Sequence, residues 1–409
     1  MTKKLLLVIL SLALANIMFL TPAQAPAAAK TEILVGAVNS MTGVEAMVGN
    51  EHRWAYEQAV KDINAKGGVY VKELGKKLPM KLIVADDQST PAGATAAAEK
   101  LVKLDKVDFL LGSVDTPLNI NIAAVAEKYK KVMVTTTFFP ENFAEQKLSW
   151  VADSFFSIAE LANSSAACLD PIPAAERPKN FCILVEDNAD GQSFVKYGTG
   201  QVLEKYKYHV VLVESYTPGS KDFSSSILKM KKANVDAIIT LCSSTDGMTF
   251  IRQMKEANFA PKYVWGARGF WPIEFGESLG KDANYMISDG HWAEALGAPG
   301  SKEIGDRYRA QFGPTKNSVT IGNFYALVQA LKQAIEKAGS IKSKKVRDVF
   351  YSGTFVAKGT TEGDLHFNNH GVAQFKAVAL QWMDGKRMPV YPYSPKIWTI
   401  KLIPPWDKR

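Results

Sequence analysis

At 409 residues the chain is longer than one hydrophobic core usually organises, so two lobes are expected. Its 47% hydrophobic and 22% charged residues are ordinary for a globular protein and exclude long disorder. The net charge of +8 is spread along the chain, which argues for a solvated surface and against a nucleic-acid groove.

Residues 1–29 open with Lys3 and Lys4, run through an apolar core from Leu5 to Leu20 and finish in TPAQAPAAA, the layout of a secretory signal peptide. That core is shorter than the roughly 18 to 20 apolar residues of a spanning helix. An exported, soluble protein is expected, cleaved between Ala25 and Ala29. The first cysteine is Cys168, so no site for an N-terminal lipid anchor is expected.

Beyond the signal, EILVGAV, MKLIVAD, VDFLLG and KVMVTTT are near-continuous apolar runs, as strands covered on both faces should be. Tyr56, Ala59, Val60 and Ile63 keep helical spacing until Gly67 and Gly68, and Ala94, Ala97, Ala98 and Leu101 repeat it. Strand, helix, strand implies a parallel sheet with right-handed crossovers. The pattern restarts with FCILVED, HVVLVESY, VDAIITLC and KYVWGA, with a helical stretch from Phe250 to Asn258. The clearest late helix carries Phe324, Leu327, Val328, Leu331 and Ile335 and stops at Gly339.

The expected fold class is therefore α/β, with two Rossmann-like doubly wound lobes joined by several hinge crossings. One lobe takes 30–152 with about 290–355, and the other 153–289 with about 356–409. Ligands of such sheets sit outside the carboxyl ends of the strands. Cys168, Cys182 and Cys242 cannot all pair within one chain. A Cys168–Cys182 bridge and plain burial as small apolar side chains both remain open.

Enzyme signatures are missing. No G-x-G-x-x-G follows the first strand of either lobe, Gly198 and Gly200 lack a third glycine, and no G-x-S-x-G occurs. His366 and His370 flank FNN before Gly371, which reads as a turn and not a zinc-binding helix. Glu186, Asn188, Asp190 and Gly191 have calcium-loop spacing, but Tyr197 stands where the bidentate glutamate belongs. No cofactor and no metal are expected, and a binder is favoured over an enzyme.

The segments NSMTGVEAMVGNEHRWAYEQAVKDINAKGGV, VADDQSTP, KDFSSSILKMKKANVDAII, FIRQMKEANFAPKYVWGA and LHFNNHGVAQFKAVALQWMDGKR follow in order. Together they resemble the leucine/isoleucine/valine-binding proteins of bacterial uptake systems. The resemblance implies a type I periplasmic binding protein, monomeric, that closes on a small ligand in the periplasm and delivers it to the membrane permease subunits of an ABC transporter. A ligand-sensing receptor of the same fold is the alternative.

Site residues follow from the same resemblance. In GSVDTPLNINIA, Thr116 falls where the family holds a ligand carboxylate. Its place before Pro117 independently reads as N-cap and N1, with amides free for an anion. Asp115 would repel a carboxylate unless it meets a positive group. In VTTTFFPE, alignment on Pro140 and Glu141 puts Thr137 at a carbonyl position and Phe138 where the family has a threonine, so the amide contact survives and the hydroxyl is lost. A one-residue slip would place Thr137 there, and both phenylalanines packing as core is the other reading.

Asp246, in CSSTDGMTF, matches the family's acidic partner of a ligand ammonium, although the helix dipole alone favours an aspartate there. Asp190 stands where relatives often carry an aromatic residue; it meets a cationic end of a ligand or forms a turn with Gly191. In GARGFWP, Arg268 suits a bidentate clamp and Trp271 a cover for the ligand body, against surface pairing and ordinary packing. The expected ligand is a small carboxylate, a hydrophobic or branched-chain amino acid, with benzoate- or cinnamate-like acids as the alternative.

Overall fold

The computed structural model describes residues 30–199, 202–392 and 397–409, so the expected signal segment and Gly200 lie outside the described residues. The chain begins with β1 (Ile33–Asn39), a small hairpin of β2 (Val69–Val71) and β3 (Lys76–Leu78), then β4 (Met80–Asp86), β5 (Phe109–Leu111), β6 (Met133–Thr135) and β7 (Val151–Ser154). It continues through β8 (Asn180–Glu186), β9 (His209–Tyr216), β10 (Ala237–Cys242), β11 (Tyr263–Arg268) and β12 (Ile287–Gly290). The last part holds β13 (Phe355–Thr360), β14 (Gly363–Phe367), β15 (Val372–Ala373), β16 (Val378–Met383) and β17 (Lys386–Tyr391).

Two main sheets result, ordered β15-β7-β6-β5-β1-β4 and β17-β16-β12-β11-β10-β8-β9. The first is parallel throughout. The second is parallel except for the antiparallel edge of β16 and β17. Side-chain alternation along a strand supplies each sheet with two apolar faces. On β1, Val35 and Ala37 pack with the helices Ala46–Ala65 and Ile321–Ala338, while Val38 packs with Ala94, Ala97, Ala98 and Leu101 of helix Pro91–Lys103.

The same alternation settles the cysteines. Cys182 lies on one face of the second sheet with Leu184 and Cys242, whereas Cys168 packs with Phe181 and Ile183 on the other. All three are buried and free, so the bridge left open by the sequence does not form.

The chain passes between the sheets three times, after β7, after β12 and after β15. The expected return to the second lobe near residue 356 comes later. Phe355, Ala357, Leu365 and Phe367 of the β13–β14 hairpin pack in the same core as Leu327, Leu331 and Ile335, and β15 extends the first sheet beside β7.

Candidate functional site

The loops leaving the first sheet are tied before they reach the cleft. Asp87, after β4, accepts from Ser40 Oγ after β1 at 2.7 Å and from Ser113 Oγ after β5. Asn119 donates to Thr137 Oγ1 at 3.0 Å and to the Thr137 carbonyl at 3.2 Å, while the Thr137 hydroxyl donates to the Ser113 carbonyl at 2.6 Å. Gly112 makes room for this arrangement, since a Cβ there would stand 2.5 Å from Asn119 Oδ1 and 2.4 Å from Thr135 Oγ1.

Opposite them, β11 ends in a left-handed residue. Arg268 has φ +56°, and the Gly269 amide donates back to the Ala267 carbonyl at 2.5 Å. A positive φ at a bulky non-glycine residue costs of order 1 to 3 kcal/mol and persists where surrounding contacts over-determine it. Here those contacts are ionic. Arg268 Nε lies 3.0 Å from Glu45 Oε1, Nη1 lies 3.2 Å from Asp190 Oδ2 and 3.7 Å from Asp115 Oδ2, and Nη2 pairs with Glu186. Glu45 and Asp115 come from the first lobe, Glu186 and Asp190 from the second. Arg268 is 6% exposed, so this is a buried junction between lobes.

A cavity of about 30 Å³ lies at the junction, walled by Thr137, Phe139, Phe155, Asp190, Arg268 and Trp271, among others. Trp271 is fixed by its indole N–H donating to Asp289 and by an edge contact with His291, ring centres 4.3 Å apart. Burial pushes the neutral His291 imidazole down to about 3.

Of the residues expected from sequence, Thr137, Asp190, Arg268 and Trp271 therefore share one cavity. Thr116 borders it: its Oγ1 accepts from the Phe139 amide at 3.2 Å, and its hydroxyl and amide both act to hold the Asp190 carboxyl down against burial. The N-cap of that helix, however, is Asp115, whose Oδ1 accepts from the Leu118 amide at 2.9 Å. Thr116 is the first helical residue, because the shorter hydroxyl is engaged by the neighbouring loop and the carboxylate is free to cap. Asp115 also meets the positive group that the sequence reading asked for, Arg268.

Phe138 is fully buried and packs edge-on with Phe143 in the first lobe's core; Phe139 turns into the cavity instead. Asp246 does not line the cavity. Its Oδ2 accepts from the Gly219 amide at 2.8 Å, its Oδ1 is buried without a partner, and its charge acts on Glu45.

Glu45, Glu186 as an ion-pair partner, Phe155 and Asp289 were not assigned from sequence. A signal was present: Glu186 and Arg268 are the last residues of β8 and β11, and Glu45 and Asp115 follow β1 and β5, all at carboxyl ends of strands.

Four carboxylates thus surround one guanidinium, and a fifth, Asp289, accepts from the Arg268 backbone amide at 3.1 Å. Burial raises Glu45 well above the usual range and pushes Asp115 and Asp289 up to about 7, with Arg268 pulling each back down. A carboxyl raised in the folded state contributes stability below its unfolded pKa and loses it as pH rises through the folded value. Wild-type stability contributed by Asp289 is therefore expected to fall between about pH 4 and pH 7, on the order of 2 to 4 kcal/mol. Asp289→Asn, which keeps an acceptor for Trp271, should flatten the decline of the urea midpoint over that window. A second expectation concerns Thr116→Val. The buried Phe139 amide would lose its acceptor, so unfolding free energy should drop by about 1 to 3 kcal/mol in urea titrations.

Comparison with known proteins agrees with this architecture. The sequence profile of the periplasmic binding protein family matches residues 32–386. The Leu/Ile/Val-binding protein homolog 7 of Brucella abortus (strain 2308) is 24% identical over 391 residues, covering 92% of this chain and 95% of that protein. The Leu/Ile/Val-binding protein BraC3 of Rhizobium johnstonii is 28% identical over 317 residues, covering 76% and 81%. Among solved structures, the branched-chain amino acid transporter substrate binding protein LivJ from Streptococcus pneumoniae, in complex with isoleucine, has a TM-score of 0.72 at 19% identity, covering 87% of this chain and 98% of that one. A solute binding protein of an ABC transporter from Rhodopseudomonas palustris BisB5, in complex with 3,4-dihydroxy benzoic acid, has a TM-score of 0.73 at 18% identity, covering 93% and 100%. With two sheets joined by three crossings and a profile that spans most of the sequence, the chain belongs to the periplasmic binding protein family.

Proposed function

We propose that the protein is the periplasmic solute-binding component of an ABC uptake system and that its interlobe cleft captures a hydrophobic amino acid. The observation that carries this reading is the charge balance of the cleft. Glu45, Asp115, Glu186 and Asp190 share Arg268 as their ion-pair partner, beside an apolar wall of Phe139, Phe155, Leu161 and Trp271. A zwitterion answers both needs. Its ammonium offsets surplus carboxylate, its carboxylate finds Thr116 and Arg268, and its side chain meets the rings. Asp246, with an unpartnered buried oxygen, belongs to the same acidic surplus. The names of the Leu/Ile/Val-binding relatives point the same way.

A cavity of about 30 Å³ has room for roughly one water, so ligand entry requires the lobes to part. The three crossings supply the hinge, and the ligand favours the closed form through contacts from both lobes. The closed protein would then present itself to the membrane permease subunits.

Aromatic carboxylates are the second reading. Phe139, Phe155 and Trp271 favour it, as does the dihydroxybenzoate named for the Rhodopseudomonas protein. A thermal-shift screen separates the two, because a ligand bound by the native state raises apparent stability. Shifts with leucine, isoleucine or phenylalanine are expected. Shifts confined to benzoate- and cinnamate-like acids would replace the amino-acid reading.

A further inference from the structure

Away from the cleft lies a larger cavity, about 390 Å³, whose walls include Trp292, Ala293, Tyr308, Asn317, Leu380 and Arg387. It shares no lining residue with the cavity at Arg268. Trp292 and Ala293 follow the second crossing, Tyr308 lies on helix Ser301–Phe312, and Arg387 is on β17 of the second sheet, so its walls come from both sides of the lobe junction.

Arg387 is 2% exposed, yet Nη1 and Nη2 have no hydrogen-bond partner. Nε makes one long bond to Asn317 Oδ1, 3.4 Å, and the guanidinium carbon sits 4.9 Å from the Trp382 ring centre. The other cations on the wall are already neutralised, Lys302 by Asp306 at 2.5 Å and Arg309 by Glu294 at 2.6 Å. Glu51 is the carboxylate whose field Arg387 feels most, and its Oε1 is buried without a hydrogen-bond partner. Its Oε2 accepts from Ser318 and Thr320, and it forms no ion pair with Arg387 among the described residues.

Buried guanidinium nitrogens left without a hydrogen-bond acceptor are costly, and the planar fork matches the paired oxygens of a carboxylate or phosphate. The volume falls within the range of small-molecule sites. We propose that this cavity is a second ligand site in which Arg387 binds the oxyanion of a small metabolite, a carboxylate or a phosphate, across the lobe junction. The inference is independent of what the cleft at Arg268 binds.

The test titrates the purified protein with inorganic phosphate and, separately, with succinate, at constant ionic strength. Intrinsic tryptophan fluorescence is the readout, because Trp292 walls the cavity and Trp382 lies against the guanidinium. Saturable binding of at least one probe is expected, and which one saturates identifies the oxyanion. Arg387→Met should weaken it by about tenfold or more. Ala295→Glu, at an exposed position on the same wall, adds a repelling charge without touching the core and should weaken it by about threefold. It serves as the deciding variant should Arg387→Met fail to fold. Saturation by neither probe, or binding unchanged in Ala295→Glu and in a folded Arg387→Met, would overturn the proposal.

Discussion

Arg268→Met is expected to lower unfolding free energy by about 3 to 5 kcal/mol at pH 8, the usual cost of removing one partner from a buried ionic cluster. The substitution leaves Glu45, Asp115, Glu186 and Asp190 buried around an apolar side chain. None gains a replacement cation, and Glu45, Asp115 and Asp190, already raised by burial, are driven further toward keeping a proton. That fixes the sign of the pH dependence. Carboxyls whose folded pKa rises further bind more protons folded than unfolded, so the variant loses stability as pH increases. The deficit against wild type should therefore be largest at pH 8 and shrink toward pH 5, in urea unfolding measured at both. Arg268→Lys restores the charge but not the fork, and should fall between the two proteins. A methionine variant as stable as wild type at pH 8 would mean that the guanidinium does not organise the junction.

The same cluster marks the boundary of what the sequence could reveal. Strands β1, β4, β8, β10 and β11 were legible because each is a near-continuous apolar run, and helix Ile321–Ala338 because its periodicity ends in a glycine with φ +62°. Phe138 and Phe139 were not separable. Adjacent identical rings carry no information about which faces a core, and only the register of the loop, held by Asn119 on Thr137, decides it. Asp115 and Thr116 are both good capping types, and the choice depended on a tertiary bond from the Phe139 amide. The β13–β14 hairpin falls in the stretch expected in the second lobe, and nothing local says which sheet body it packs on. The sequence marks Arg268 as a clamp, yet its partners come from the carboxyl ends of three separate strands, β1, β5 and β8. Their convergence is a property of the doubly wound topology, visible only once the strand order is known.

Asp190→Ala should move the affinities for the two ligand classes in opposite directions. The Asp190 carboxylate from the second lobe lies 3.2 Å from Arg268 Nη1 and faces the hydroxyl and amide of Thr116, the donors a ligand carboxylate would use. On the proposed amino-acid reading, the ligand would displace Asp190 from those donors and give it an ammonium in exchange. Removing Asp190 takes away that counter-charge, and leucine affinity measured by calorimetry should fall about 30- to 1000-fold, equivalent to about 2 to 4 kcal/mol. An aromatic acid has no ammonium to offer. For it, Asp190 is a like charge competing for the same donors, and the alanine variant should bind benzoate as tightly as wild type or more tightly. Asp190→Asn, which keeps the volume and removes the charge, should follow the alanine variant in direction for both ligands. Leucine binding undiminished in Asp190→Ala would remove Asp190 as the ammonium partner and shift that role to the remaining carboxylates of the cleft, with Asp246 and its unpartnered oxygen the next to replace.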